Sequence, residues 1–324
     1  MSRRRLLPEV LALSLAFGAG SPPLAPAAEL VAAPVRALVE RVVGGEGSAR
    51  RGAWQWLTGA AAAEPFARPY GVAWDGDDLL VTDPAAARVL RVTPRGRIES
   101  SPPGVFLGPI GVARCAAGIV VTDSRQGSVT LLDGRLRLLR RLAEGLSRPT
   151  GVACVAQRIF VVETGAHRIL ALRPEGGIAD VFGRRGEAEA QYNFPAALAS
   201  DANSLWIGDT LNFRVQRLRA SNGAYLRAFG RLGGGAGETP RIKGIAVDAA
   251  GRIWVTDAHL DQIALFSESG ELLADLGRSG AGHGEFAFPA GIAANPDGRI
   301  AVVDSLNRRI QVLRLEGAEP AGKR

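Results

Sequence analysis

The 324-residue sequence holds few of the side chains on which metal and cofactor chemistry depends. It has three histidines, His167, His259 and His283, two cysteines, Cys115 and Cys154, and two lysines, Lys243 and Lys323. With so few, the ligand spacings of zinc modules, the haem-attachment run and the zinc-deaminase pattern are all absent. Glycine-rich runs such as Gly233–Gly237 lack the Gly-Lys-Ser/Thr ending of a phosphate loop, which makes them connectors. No nucleophile–base motif is present. Aromatic residues are only 6% of the chain, so a core must rest on Val, Ile, Leu and Ala, which the 47% hydrophobic content supplies. No apolar run reaches the roughly 20 residues that a membrane helix needs. What the chain has instead is 41 glycines and 19 prolines, a composition suited to a turn every few residues.

The first residues read as a targeting segment. Arg3, Arg4 and Arg5 form a positive region, Val10 to Phe17 a short apolar one, and Ala25, Ala27 and Ala28 a small-residue cleavage region. The segment 1–28 is therefore expected to be a signal peptide and the mature protein to be exported, periplasmic or secreted. Ser2-Arg3-Arg4-Arg5-Leu6-Leu7 also resembles a twin-arginine signal; the alternative is an ordinary secretory one. No cysteine near the cleavage region offers a lipid anchor. Formal net charge is +7, and loss of residues 1–28 leaves 36 basic against 31 acidic residues. An excess that small, carried almost wholly by arginine, implies weak attraction to anions and nothing sharper.

The strongest signal is an internal repeat. Six units open on Pro69-Tyr70-Gly71-Val72-Ala73, Pro109-Ile110-Gly111, Pro149-Thr150-Gly151, Pro195-Ala196-Ala197, Gly244-Ile245-Ala246 and Pro289-Ala290-Gly291. They close on Asp83, Asp123, Glu163, Asp209, Asp257 and Asp304. Five residues after each acid stands Arg88, Ser128, Arg168, Arg214, Gln262 or Arg309, followed by Val or Ile. Short β-branched stretches punctuated by Gly, Asp and Asn read as strands. A unit of 40 to 48 residues with about four strands is a propeller blade, whose sheet buries its faces only by stacking on neighbours. The fold class is therefore all-β, a six-bladed β-propeller of four-stranded antiparallel blades.

These motifs resemble the NHL repeat over about residues 54 to 314, with Asp304-Ser305-Leu306-Asn307-Arg308-Arg309-Ile310 the nearest match. Ala197, Glu163, Ser128 and Gln262 depart from it. The sixth unit lacks an outer strand, so an N-terminal strand is expected to close the ring. Trp54-Gln55-Trp56-Leu57 is the first choice and Leu38 to Val43 the alternative. On the first choice, residues 29–52 are a linker, 53–316 the propeller and 317–324 a tail.

The repeated acid and Arg are read as structural, holding the hairpin turn by charge-assisted hydrogen bonds. This applies to Asp83, Arg88, Asp123, Glu163, Arg168, Asp209, Arg214, Asp257, Asp304 and Arg309. Loops joining second to third strands and loops joining blades emerge on one face, which is where a binding surface is expected. Candidate contacts there are Arg125, His167, Arg184, Arg185, Leu211, Asn212, Phe213, His259, Leu260, His283, Phe286, Leu306, Asn307 and Arg308.

His167, His259 and His283 fall on the same face and are the candidates for an open zinc site. The zinc-dependent six-bladed peptidyl-hydroxyglycine lyases resemble this fold, and in them a ligand histidine can follow the blade-initial proline. Here Tyr70, Ile110, Thr150, Ala196, Lys243 and Ala290 hold the equivalent positions, so the three histidines are expected to be solvated loop residues. Cys115 and Cys154 lie in adjacent blades with the opposite parity that an inter-blade disulfide requires; free thiols are the alternative. The reading is a non-enzymatic binding or scaffold propeller without a cofactor, for an extracytoplasmic protein, peptide or glycan. The alternative is a metal-dependent lyase or hydrolase, and the export signal argues against nucleic acid.

Overall fold

The computed structural model of the protein describes residues 35–45 and 65–316. Six four-stranded sheets follow one another as blades one to six, over residues 72–100, 109–143, 149–182, 195–229, 242–276 and 289–315. In each of the first five the strand order in the sheet is the order in the chain, running outward from the axis. Blade six has three strands of its own, and Ala37–Gly44 supplies the fourth. That strand pairs antiparallel with Arg309–Leu315, Gly44 opposite Arg309 and Ala37 opposite Leu315.

The closing strand thus comes from the segment expected to be linker, and the ring begins near residue 35 rather than 53. Trp54–Leu57, the first choice, lies outside the described residues. The reason lies in a register shift between Val39 and Arg41. An extra residue in one strand reverses which face the following side chains occupy. Ala37 and Val39 accordingly pack toward blade five, and Val43 toward Phe66 and blade one. A strand that serves both interfaces lacks simple alternation and is hard to see in sequence.

The apolar core is divided into six clusters, one at each blade interface. Phe66, Leu79, Leu90 and Ile310 fill the interface of blades six and one. Leu80, Phe106 and Ile119 fill that of one and two, and Leu131, Leu142 and Val161 that of two and three. Phe160, Tyr192 and Leu205 follow, then Trp206, Ile242 and Phe266, then Trp254, Phe286 and Ile300. Second and third strands are buried on both faces, so they read as continuous β-branched runs, whereas outer strands expose Leu138, Leu139 and Ile178. Each buried Leu, Ile or Phe contributes on the order of 1.5–3 kcal/mol relative to exposure.

Around the axis the blades are also joined by polar contacts. The Thr82 hydroxyl donates to the Ile110 carbonyl, Thr122 to Thr150, and Thr256 to Ala290, in each case reaching the next blade. Where that threonine is absent the substitute is nearby. Thr150 donates to the Ala196 carbonyl at 2.9 Å, Thr210 to the Ile242 carbonyl at 3.2 Å, and the Gly291 N–H closes the ring on the Tyr70 carbonyl at 2.7 Å. The approach explains the blade glycine. A Cβ on Gly111 would stand 2.2 Å from the Thr150 carbonyl oxygen, and one on Gly71 2.3 Å from that of Ile110.

The repeated acids are the anchors of each blade. Asp83 accepts from the backbone N–H of Ala67 and Arg68, Asp123 from Leu107 and Gly108, and Glu163 from Ser147. Asp209 accepts from Asn193, Asp257 from Arg241, and Asp304 from Ala287. Each acid thereby ties the segment that leads into its blade to the turn after its second strand. The arginine partner is present at Glu163–Arg168 (2.6 Å), Asp209–Arg214 (2.9 Å) and Asp304–Arg309 (2.7 Å), and is loose at Asp83–Arg88 (3.7 Å). In blade two Asp123 has no arginine side-chain partner among the described residues, and Arg141 of the outer strand donates to Ser128, Gln126 and Thr130 near that turn.

Cys115 and Cys154 form a disulfide between the first strands of blades two and three, with Cα atoms 5.8 Å apart, inside the usual 4.4–6.8 Å.

Two expectations follow for stability, both measurable by chemical denaturation. Asp304→Ala leaves the nearly buried Arg309 without its carboxylate and is expected to cost about 3–5 kcal/mol, while Arg88→Ala, at a longer and more exposed pair, should cost about 1 kcal/mol or less. Equal losses would show that the pairs do not differ in this way. Cys154→Ser releases a crosslink across a separation of 39 residues and should lower stability by about 3–4 kcal/mol on the chain-entropy estimate. Reductant should reproduce that loss in the native sequence and leave the variant unchanged.

Candidate functional site

Turns between second and third strands and connections between blades share one face of the ring, here called the mouth face. The fifth residue of every such turn is left-handed: Ala87, Gly127, His167, Phe213, Asp261 and Arg308 have φ between 51° and 63°. In blades three and five this residue reaches into the next blade. His167 Nδ1 accepts from the Phe194 N–H at 3.1 Å, and Asp261 Oδ1 from the Phe288 N–H at 2.7 Å.

The expected contact residues divide on this face. His167 is buried, and its imidazole lies edge-on to Phe194 with centroids 4.4 Å apart, so it is a packed side chain and not a solvated one. Phe286 is 1% exposed in the core between blades five and six, so it is no surface contact. Asn212 and Asn307 are committed to the scaffold: their amides donate to Gly186 and Asp209, and to Gly280 and Asp304. Arg125, Arg184, Arg185, Leu211, His259, His283, Leu306 and Arg308 are exposed around the rim, with Phe213 and Leu260 half-buried.

The long connections are self-braced. Glu238 and Glu285 each accept a backbone N–H of their own loop, from Gly235 and Gly282, and pair with Arg231 and Arg278. Those hydrogen bonds hold both carboxyls below the usual range. Among the described residues no group of three or more His, Cys, Asp or Glu side chains is placed to hold a metal ion.

A second set of residues was not singled out by sequence reasoning. The axial channel holds a chamber of about 70 Å3, lined by every blade, among others Val72, Val112, Val152, Leu198, Ile245 and Ile292. That is room for a few waters at most, so a ligand would sit over the channel rather than in it. Over it stand the residues flanking the blade-initial position. The column before it reads Arg68, Gly108, Arg148, Phe194, Arg241 and Phe288, and the column after it Tyr70, Ile110, Thr150, Ala196, Lys243 and Ala290.

The Phe288 ring has three cations around it, with Arg68 Cζ, Arg241 Cζ and Lys243 Nζ each 5.8 Å from its centroid. Arg148 and Arg241 both act electrostatically on Lys243 and on Tyr70. Burial first, and then these two arginines, hold Lys243 down to about 8, against a weaker pull upward from Asp257. Burial raises the Tyr70 hydroxyl, and it stays protonated at neutral pH. Among the described residues the side chains of Arg68, Arg148, Arg241 and Lys243 make no hydrogen bond or ion pair. An anion arriving here therefore meets positive charge in excess and favours the protonated form of Lys243.

Arg148, Phe194 and Phe288 are themselves left-handed at φ 54°, 48° and 57°. Non-glycine residues there cost roughly 1–2 kcal/mol each, and such strain at one repeated position points to a site. Two larger grooves, of about 510 and 480 Å3, lie beside the opposite-face turns of blades two to four but gather no comparable charge. The signal for the axial set was the alignment of the six copies at the column before the proline.

Comparison with known proteins agrees with the fold. The NHL repeat family profile matches residues 286–313. A curated relative, Protein brain tumor of Drosophila melanogaster, is 30% identical over 126 residues, which is 38% of this chain; the match spans only 12% of that protein's length. A streptogramin B lyase structure is 16% identical with a TM-score of 0.59, covering 79% of this chain and 96% of that one. A gluconolactonase from Xanthomonas campestris is 16% identical with a TM-score of 0.61, covering 86% and 98%. Identities this low establish a shared fold alone. The chain is thus a six-bladed β-propeller of four-stranded blades whose last blade carries an NHL repeat.

Proposed function

We propose that this propeller is an exported, non-enzymatic binding platform that engages an extracytoplasmic protein, peptide or glycan on its mouth face, centred on the axial cluster. The observation that carries the reading is the gathering of Arg68, Arg148, Arg241 and Lys243, unpaired, around Phe288 and Tyr70 at the mouth of a closed ring. Charge left unpaired lowers stability by self-repulsion and persists where a ligand supplies the compensation. Aromatic rings among arginines are the composition of binding hot spots. The metal-dependent alternative loses support because His167 Nδ1 already accepts a backbone hydrogen bond. Export rests on the segment 1–28, and a disulfide between Cys115 and Cys154 is at home in an oxidising compartment.

The platform reading is tested on arrays of peptides and of acidic and neutral glycans, comparing two charge-matched pairs of substitutions. Arg148→Glu with Arg241→Glu is expected to weaken the selected ligand at least tenfold. Arg95→Glu with Arg135→Glu, exposed in turns of the opposite face, should leave it unchanged. Ligand binding that both pairs leave intact removes the mouth face as the site. For export, N-terminal sequencing of protein recovered from outside the cytoplasm should begin near residue 29; an intact Met1 there, or retention in the cytoplasm, removes that part of the reading.

A further inference from the structure

The axial cluster has a symmetry that narrows its ligand. Arg68, Arg148 and Arg241 occupy one repeat position in blades one, three and five, so three arginines enter the mouth from alternate blades. The blades between them bring Gly108, Phe194 and Phe288 to the same position. The side chain of Arg125 lies over Gly108, the Phe194 ring packs on His167, and the Phe288 ring stands among the cations. Phe288 has Arg68, Arg241 and Lys243 each at 5.8 Å from its ring centre. Below this tier are Lys243 and Tyr70, half-buried at the top of the channel. Below them the walls are apolar and the chamber of about 70 Å3 is too small for anything beyond a few waters.

A trio of arginines about an axis matches an anion that offers three equivalent oxygens about an axis of its own. A guanidinium presents a planar fork of donors suited to paired oxygens. A planar carboxylate has two oxygens and leaves one arginine unused. A phosphate or sulfate ester has three terminal oxygens, and its fourth bond points along the axis to solvent, where the rest of the ligand is carried. Its charge also suits a mouth holding four cations that make no side-chain ion pair among the described residues. Arg148, Phe194 and Phe288 keep left-handed backbones at this tier, while Arg68 and Arg241 do not, so the conformational cost falls on one arginine and the two phenylalanines.

We infer, resting on the platform reading above, that the axial mouth is a receptor for a tetrahedral oxyanion, a phosphate or sulfate ester group, gripped by Arg68, Arg148 and Arg241 from alternate blades with Lys243 and the Tyr70 hydroxyl beneath it. The ester oxygen faces outward, so specificity for the remainder of the ligand falls to the rim, where Arg184, Arg308 and Leu306 are exposed.

The test is titration calorimetry on the mature chain with inorganic phosphate, inorganic sulfate and acetate. One saturable site for phosphate and sulfate is expected, with acetate at least tenfold weaker. Arg148→Gln and Arg241→Gln should each weaken sulfate at least tenfold, and Arg95→Gln should not; because these side chains are exposed and make no hydrogen bond or ion pair, the melting temperature should not fall. A sugar phosphate compared with a sulfated sugar then tells which ester the rim favours. Acetate binding as tightly as sulfate, sulfate binding that survives the arginine substitutions, or no saturable anion uptake overturns the inference. So does single-stranded RNA that binds tightly with a steep salt dependence while inorganic phosphate does not, since that describes an extended polyanion surface and not a single-anion receptor. If the anion fails while an array ligand still depends on Arg148 and Arg241, the platform reading stands without this inference. If the anion binds and no array ligand uses the face, the reverse holds.

Discussion

A carboxylate taken out of water must be surrounded by donors, and in this protein that requirement sets the course of the backbone. The acid at the end of each second strand is buried, from Asp83 to Asp304, and in all six blades it takes backbone N–H groups from the segment leading into its own blade. The same contact places the candidate site. Arg68 and Arg241 donate their own N–H to Asp83 and Asp257, and Arg148 follows Ser147, whose N–H binds Glu163. The residues that crowd the axis are therefore held by the anchor that closes each blade.

Stability is spread in the same modular way. Six apolar clusters share the core between interfaces, and no single cluster holds the ring together. The threonine hydroxyls around the axis add a second circuit, and where one is replaced, at Val162 or Gly208, a neighbouring hydroxyl at Thr150 or Thr210 takes over. At Val303 the backbone of Gly291 does so. Repeat proteins whose units cannot bury their own faces depend on such nearest-neighbour terms. The disulfide between blades two and three is the one covalent addition among the described residues. On such a frame the strain at Arg148, Phe194 and Phe288 and the unpaired charge beside them are tolerated at one point.

Much of this was legible in the chain. The spacing of acids, the blade-initial proline and glycine and the β-branched runs give six blades, their faces and the order of their strands. The pairing of acid with arginine was legible too, although its larger role, capturing N–H groups 15 to 17 residues upstream, was not. The closing strand is the alternative, Leu38 to Val43, and it ranked second because Ala37–Gly44 carries a register shift and serves two interfaces, so neither period marks it. His167 looked like a solvated loop residue, yet its left-handed backbone turns the imidazole toward Phe194 of the next blade.

By itself the sequence determined the local terms: which stretches form strands, where each turn falls, which acid caps which hairpin, and how many units stack. These depend on residues a few positions apart, and a repeat displays them six times. Tertiary structure alone decided what depends on closing the ring. It chose the strand that completes blade six, joined Cys115 to Cys154, buried Phe286, and brought Arg68, Arg148, Arg241 and Lys243 from three blades to one axis. Residues 173 positions apart meet there because blades close in a circle, and their mutual distance is set by that closure and not by any spacing along the chain.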